Sequence, residues 1–314
     1  MTAADVTLVV GASGLLGGHV VQLARQVGQA VRATLRPQSS AQSRAALLGQ
    51  GVPVVEADLK RPATLLAACA GARSVICTAT AATRPSESIT TVDAGGLAAL
   101  IDAAKQSGVE HFVLVSFPPI VLELRSGRLT RTVDFALQEA KRRAEQYLAD
   151  SEMNFTVLQP TSFMEFWLSP FAGFDVANGQ AVTFGEGEKP VNWISVGDVA
   201  RFAIAAAHEP NFAKRTLLLY GPDPLSPMSV VRIFQELGGG PVEVQHVPES
   251  VLEEQFVAAT QMEDWSGQAR AAIALATARG LPGDPHAARE ALPGKLTTVR
   301  EYLSSIVGEK NARQ

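Results

Sequence analysis

The sequence predicts an α/β protein, a doubly wound parallel sheet with a smaller C-terminal region attached. Three observations carry this. Short β-branched runs alternate with longer alanine- and leucine-rich stretches of helical period through the first half. The first apolar run leads directly into a glycine-rich loop that opens a helix. Beyond Pro160 that regular alternation gives way to punctuation by glycine and proline. With 314 residues, 46% of them hydrophobic and 18% charged, the chain can bury a large core, which excludes a small stapled scaffold or a disordered tail.

Strands are expected at 6–10, 30–35, 52–56, 74–78 and 111–116, with a sixth at 155–159. Between them the periodicity predicts helices at 14–27, 40–49, 62–70 and 86–107, which right-handed crossovers place on both sheet faces. Phe117-Pro118-Pro119 opens an irregular stretch before a helix at about 132–151. Gly173, Gly179, Gly185, Gly187 and Pro190 mark loops over the carboxyl edge of the sheet, where substrate contacts are expected. A helix at 196–208, a strand at 215–220 and helices at 229–237 and 249–279 follow. The organisation expected is a nucleotide-binding core over 1–160 and a mainly substrate-binding region over 161–314, with segments near 191–220 returning to the core.

A net charge of −4 gives no general drive toward nucleic acid or anionic lipid. Cys69 and Cys77 lack ligand spacing and read as buried thiols, and the five histidines form no metal motif, so no metal site is expected. Residues 1–5 carry no basic leader and no segment reaches the ~20 apolar residues of a membrane span, so a cytoplasmic location is expected. The oligomeric state is left open.

Val6–Val10 runs into Gly11-Ala12-Ser13-Gly14-Leu15-Leu16-Gly17. In such a loop the first glycine permits the tight turn, the second admits a pyrophosphate and the third lets helix pack on strand. Backbone N–H groups at the helix start, from Ser13 through Leu16, face the anion. This is a Rossmann-type dinucleotide site. At the end of the second strand Arg36 stands where a ribose-binding carboxylate would stand, so NADP(H) is expected over NAD(H), with Ser39 and Ser40 as extra donors. The alternative for Arg36 is a solvated arginine. Arg32 is a weaker candidate on the same strand face. Asp58 and Leu59 either meet the adenine or, for Asp58, cap the helix near Pro62. Thr78-Ala79-Thr80 is small enough for backbone to pass beside a cofactor, or is simply a tight turn.

Together these segments resemble the atypical short-chain dehydrogenases, in particular the NmrA-like group of quinone reductases, isoflavone-reductase-like enzymes and NADP-sensing regulators. The more selective stretches are Lys141–Leu148 and Phe155–Glu165, with an echo in Trp193–Ala200. The resemblance implies that Lys141 binds the nicotinamide ribose and acts as proton donor or electrostatic stabiliser; otherwise it is a solvated lysine beside Arg142 and Arg143. It also brings Ser116, as a second catalytic candidate, and Pro160, Thr161 and Phe163 to the cofactor. Phe117, Phe163, Met164, Phe166 and Trp167 are expected to divide between core and the wall of an apolar substrate pocket.

Two departures from the group matter. The tyrosine that donates a proton four residues before the lysine in active short-chain dehydrogenases is replaced by Leu137, and none of Tyr147, Tyr220 and Tyr302 precedes a lysine by that spacing. The arginine usual before the proline is Gln159. Carbonyl reduction through a tyrosine acid is thereby disfavoured. The resemblance then implies an NADPH-dependent reductase of an apolar, electron-poor small molecule such as a quinone or activated alkene. The alternative is a non-enzymatic NADP(H)-sensing regulator acting through a protein partner.

Overall fold

The computed structural model describes residues 5–82, 88–126, 129–284, 290–291 and 294–312. The chain forms two compact units, one of residues 1–117, 136–159 and 199–217 and one of 118–135, 160–198 and 218–314. Segment 118–135 groups with the second unit and 199–217 with the first.

The first unit is organised on a parallel sheet. Its strands are β1 (Thr7–Val10), β2 (Val31–Leu35), β3 (Val54–Glu56), β4 (Ser74–Cys77), β5 (His111–Val115), β8 (Asn154–Pro160) and β13 (Arg215–Leu219). They lie in the order β13-β8-β5-β4-β1-β2-β3. The direction of winding reverses between β1 and β4, which pair from Thr7↔Ser74 to Val10↔Cys77. A crevice at the carboxyl ends of these two strands is where an open α/β sheet binds its ligand. Strands covered on both faces are largely apolar; all four residues of β1 and of β4 are buried, and the polar two, Thr7 and Ser74, join hydroxyl to hydroxyl at 2.9 Å.

Helices α1 (Leu15–Gln26), α2 (Ala41–Gly49), α3 (Leu65–Cys69), α4 (Leu97–Gln106) and α5 (Ala136–Asp150) connect the strands. Two expectations change here. The helix expected over 86–107 begins as a π-helical turn, Thr90–Gly96, before α4; residues 86–87 lie outside the described residues. The stretch before α5 is a hairpin, β6 (Leu122–Ser126) with β7 (Leu129–Val133), so the helix starts later than residue 132. Alternating Leu-Glu-Leu-Arg and Leu-Thr-Arg-Thr-Val carry a period of two that the preceding prolines obscured.

The second unit contains two three-stranded sheets and a helical layer. Strands β9 (Ser162–Phe163), β12 (Val191–Ile194) and β14 (Pro224–Leu225) form one sheet. Strands β10 (Phe174–Asp175), β11 (Gln180–Phe184) and β15 (Glu243–Val247) form the other. Met164, Leu168, Trp193, Phe234 and Leu303 are among the residues of its core. The single helix expected over 249–279 is two, Glu249–Gln261 and Trp265–Arg279. Glu263 takes a left-handed backbone (φ 55), and Asp264 then caps the second of them by accepting the Gly267 N–H at 2.9 Å. A C-terminal helix, Val299–Ala312, also emerges that the sequence reading did not assign.

Candidate functional site

The glycine loop is held by the geometry expected of a phosphate loop. Gly11 has φ +90, and a Cβ there would stand 2.7 Å from Thr78 Oγ1 and 2.8 Å from Ala79 N, so only glycine brings β1 this close to the end of β4. A Cβ on Gly17 would meet Gly11 O at 2.2 Å, which fixes α1 tightly onto the loop. Gly14 differs. Its Cβ would touch only Gly11 O, at 3.2 Å, and would otherwise project into open space over the loop. Gly14 is also the N-cap of α1 and gives no side-chain cap, so the first N–H groups of that helix have no capping side chain. Ser13 and Leu15 are exposed and Leu16 is buried.

At the end of β2, Arg36 begins a turn closed by the Ser39 N–H to Arg36 O bond (3.0 Å) and by the Arg36 N–H to Ser39 Oγ bond (3.1 Å). Arg36 as a residue is half-buried. Ser40 is the N-cap of α2, its Oγ accepting from Ser43 N at 3.1 Å. Arg32 is corrected: it donates to the carbonyls of Ala68 and Ala70, both at 2.8 Å, at the end of α3. Asp58 is buried, accepts from Lys60 N at 3.0 Å and from Gln38 Nε2 at 3.3 Å. It does not cap the short helix at Pro62, whose N-cap is Arg61. Leu59 packs under the π-helical turn, where a Cβ on Gly96 would collide with Leu59 Cβ at 2.8 Å.

Lys141 is buried, not solvated. Its Nζ lies 2.9 Å from Asp93 Oδ1, with the two side chains 6% and 0% exposed. The same nitrogen donates to Ala79 O at 3.4 Å, and Asp93 Oδ2 accepts the Ala81 N–H at 2.8 Å. Nζ reaches Oδ1 at ion-pair distance but outside hydrogen-bonding angles, which leaves that oxygen without a hydrogen bond. Ala79 thus has Gly11 on one side and Lys141 on the other. Thr78 Oγ1 donates to Val10 O at 3.1 Å and Thr80 Oγ1 accepts from Ala82 N at 3.2 Å, closing the turn after β4. Ser116, at the end of β5, is buried with an Oγ that has no partner. Phe117 beside it is half-buried.

Asp93 escaped the sequence reading. The signal was a carboxylate on an apolar helical face made by Ile89, Val92, Leu97, Leu100 and Ile101, where an acid needs a buried partner. Leu137, in the usual tyrosine position, is 3% exposed. Gln159 donates to both oxygens of Glu145, at 3.1 and 3.0 Å, so this glutamine takes an intra-unit polar partner in the arginine's place. Burial pushes the Cys77 and Cys69 thiols each up to about 11, which leaves them unreactive.

The remaining expected residues lie in the second unit. Thr161 donates its N–H to Leu219 O at 3.1 Å, Pro160 precedes it at the end of β8, and Phe163 pairs with Ile194. Met164 is fully buried in that unit's core and is corrected from pocket wall to core. Phe166 packs edge-on against Trp167 (centroids 5.0 Å) and tilted against Phe171 (5.2 Å), whose ring is 73% exposed. Among the described residues no cluster of three or more His, Cys, Asp or Glu could hold a metal, and no helix is long and apolar enough to cross a membrane.

A sheet wound in both directions from β1, with a glycine loop at the reversal, defines the class: a Rossmann-type dinucleotide-binding fold. Within that class the chain belongs to the NmrA-like family, which matches residues 4–303. It is similar to photosystem II assembly factor Ycf39 of Synechocystis, at 27% identity over 309 residues, 96% of this chain and 90% of the relative. It is also similar to the NAD(P)H azoreductase of Xenophilus azovorans, at 29% identity over 237 residues, covering 75% and 74% of the two chains. Among solved structures, the NADPH-dependent quinone oxidoreductase QOR2 of Escherichia coli, complexed with NADPH, has a TM-score of 0.74. It is 21% identical and covers 96% of this chain and 99% of its own, a likeness of fold.

Proposed function

We propose that the protein is an NADPH-dependent reductase of an apolar, electron-poor acceptor such as a quinone, an activated alkene or an azo compound. The observation that carries this is the buried Lys141, fixed at Ala79 beside the glycine loop. Burying a lysine is costly unless it is paired, and a paired lysine beside the sheet's switch point supports a role at the cofactor.

The residues present fit a dinucleotide. Gly14 leaves room over the loop that a side chain would fill, and the start of α1 offers N–H groups without a capping side chain. Arg36, half-buried in its turn, is the group that would hold a 2′-phosphate. Ser116 supplies a buried hydroxyl still lacking a partner. When bound, NADPH supplies a hydride from its nicotinamide C4. Lys141 would orient the nicotinamide ribose and hold a positive charge as negative charge develops on the acceptor. Ser116 would donate a hydrogen bond from Oγ. With leucine at position 137, no tyrosine delivers a proton, so acceptors whose reduced form takes its proton from water suit the site best.

A second reading has its own support in the likeness to photosystem II assembly factors. In it the chain binds NADP(H) and acts through a protein partner without turnover. The two separate in one experiment: NADPH oxidation followed spectroscopically with quinones, enones, azo compounds and carbonyls. Consumption with conjugated acceptors is expected. NADPH that is bound but never consumed favours the second reading, and a chain that binds no NADPH defeats both.

A further inference from the structure

Asp93 is completely buried, in the π-helical turn Thr90–Gly96. π-Helical turns are rare and concentrate at functional sites. Burying a carboxylate is costly unless each oxygen is compensated, and here the two oxygens serve different elements. Oδ2 accepts the backbone N–H of Ala81 at 2.8 Å; Oδ1 lies 2.9 Å from Lys141 Nζ, which itself donates to the carbonyl of Ala79 at 3.4 Å. The carboxylate, the ammonium and backbone 79–81 therefore close a ring that joins the π-helical turn, the end of β4 and α5. The turn has no room to retreat, because Gly96 presses on Leu59 with no space even for a Cβ.

We propose that Asp93 is the positioning residue of this site: it locks Lys141 Nζ and the 79–81 backbone to one another, making the lysine a fixed cation rather than a mobile proton donor. The inference rests on the NADPH reading and deepens it. A carboxylate that pairs with the ammonium restrains its position, and an amide at 93 would keep the Ala81 bond while releasing the charge pairing.

The test uses two probes, NADPH and adenosine 2′,5′-bisphosphate, which carries the 2′-phosphate but no nicotinamide. Both are titrated calorimetrically into the wild type, Asp93→Asn, Lys141→Met and the double variant. Asp93→Asn is expected to weaken NADPH about tenfold while adenosine 2′,5′-bisphosphate holds within about twofold. The double variant should lose no more than the worse single variant, because both act through one contact. Unchanged NADPH affinity, equal losses for the two probes, or multiplying losses in the double variant would overturn the inference. If Asp93→Asn does not fold, Asp93→Ser, which removes the carboxylate and keeps Lys141, decides: wild-type NADPH affinity there overturns it, and selective loss of NADPH supports it. A wild type that binds no NADPH instead overturns the functional reading on which the inference stands, and that outcome appears before any variant is made.

Discussion

The two halves of the proposed cofactor site are built in opposite ways. At the phosphate end, the loop from Gly11 to Gly17 and the turn from Arg36 to Ser40 are made of consecutive residues and backbone groups. At the lysine end, Asp93, Ala79, Ala81 and Lys141 come from three separated elements and meet through buried charge. Local geometry suffices to hold a phosphate because its donors are N–H groups that any helix start provides. Fixing a charge in low dielectric requires a partner that only the tertiary fold can supply.

That contrast is open to attack from both sides. The largest effect is expected at Gly17, where a valine would drive Cβ into Gly11 O, 2.2 Å away. Gly17→Val should cost several kcal/mol, beyond the ~1–3 typical of overpacking because backbone must move, and should largely abolish folding by circular dichroism. Lys141→Met comes next. It strands the Asp93 carboxylate and should destabilise by about 3–5 kcal/mol in urea unfolding, and Asp93→Asn added to it should recover part of the loss. At the phosphate end, Arg36→Ala should cost roughly 1.5–3 kcal/mol of NADPH affinity by calorimetry, with NADH binding unaltered. Equal losses for the two cofactors would remove Arg36 from the 2′-phosphate.

The smallest effect concerns acid. Burial, with His208 nearby, pulls the His111 imidazole below its ordinary value, and His208 is lowered mainly by its own burial. Both then take up protons more readily in the unfolded chain, so their contribution is complete above about pH 6.5 and is lost as pH falls through the lowered folded values. The melting temperature should drop across that window. His111→Gln, which keeps a polar partner for Thr156 Oγ1 (2.9 Å), should flatten the slope.

The sequence made the first region readable and left the second half-hidden for the same reason. Strands β1, β2 and β4 announce themselves by local β-branched runs, and the glycine loop by spacing. Lys141 was found through a family likeness, but its burial was not, because Arg142 and Arg143 beside it suggest a solvated helix turn. Asp93 needed knowledge of which helix faces α5, which no periodicity supplies. Likewise Ser40 reads only as an extra donor to a phosphate, and its capping of α2 is seen once that helix begins at Ala41. The C-terminal elements β15 and Val299–Ala312 lack strong patterns; both owe their form to neighbours, as in the pairing of β15 with β11.

Single-turnover transfer to an activated alkene from NADPH deuterated at the transferring C4 position is the sharpest check on a reductase built around Lys141. The wild type is expected to consume the bound NADPH, the reduced alkene to carry the deuterium, and Lys141→Met to slow this step much more than it weakens NADPH. NADPH that stays bound and unoxidised with every conjugated acceptor, its label intact, would rule such a reductase out.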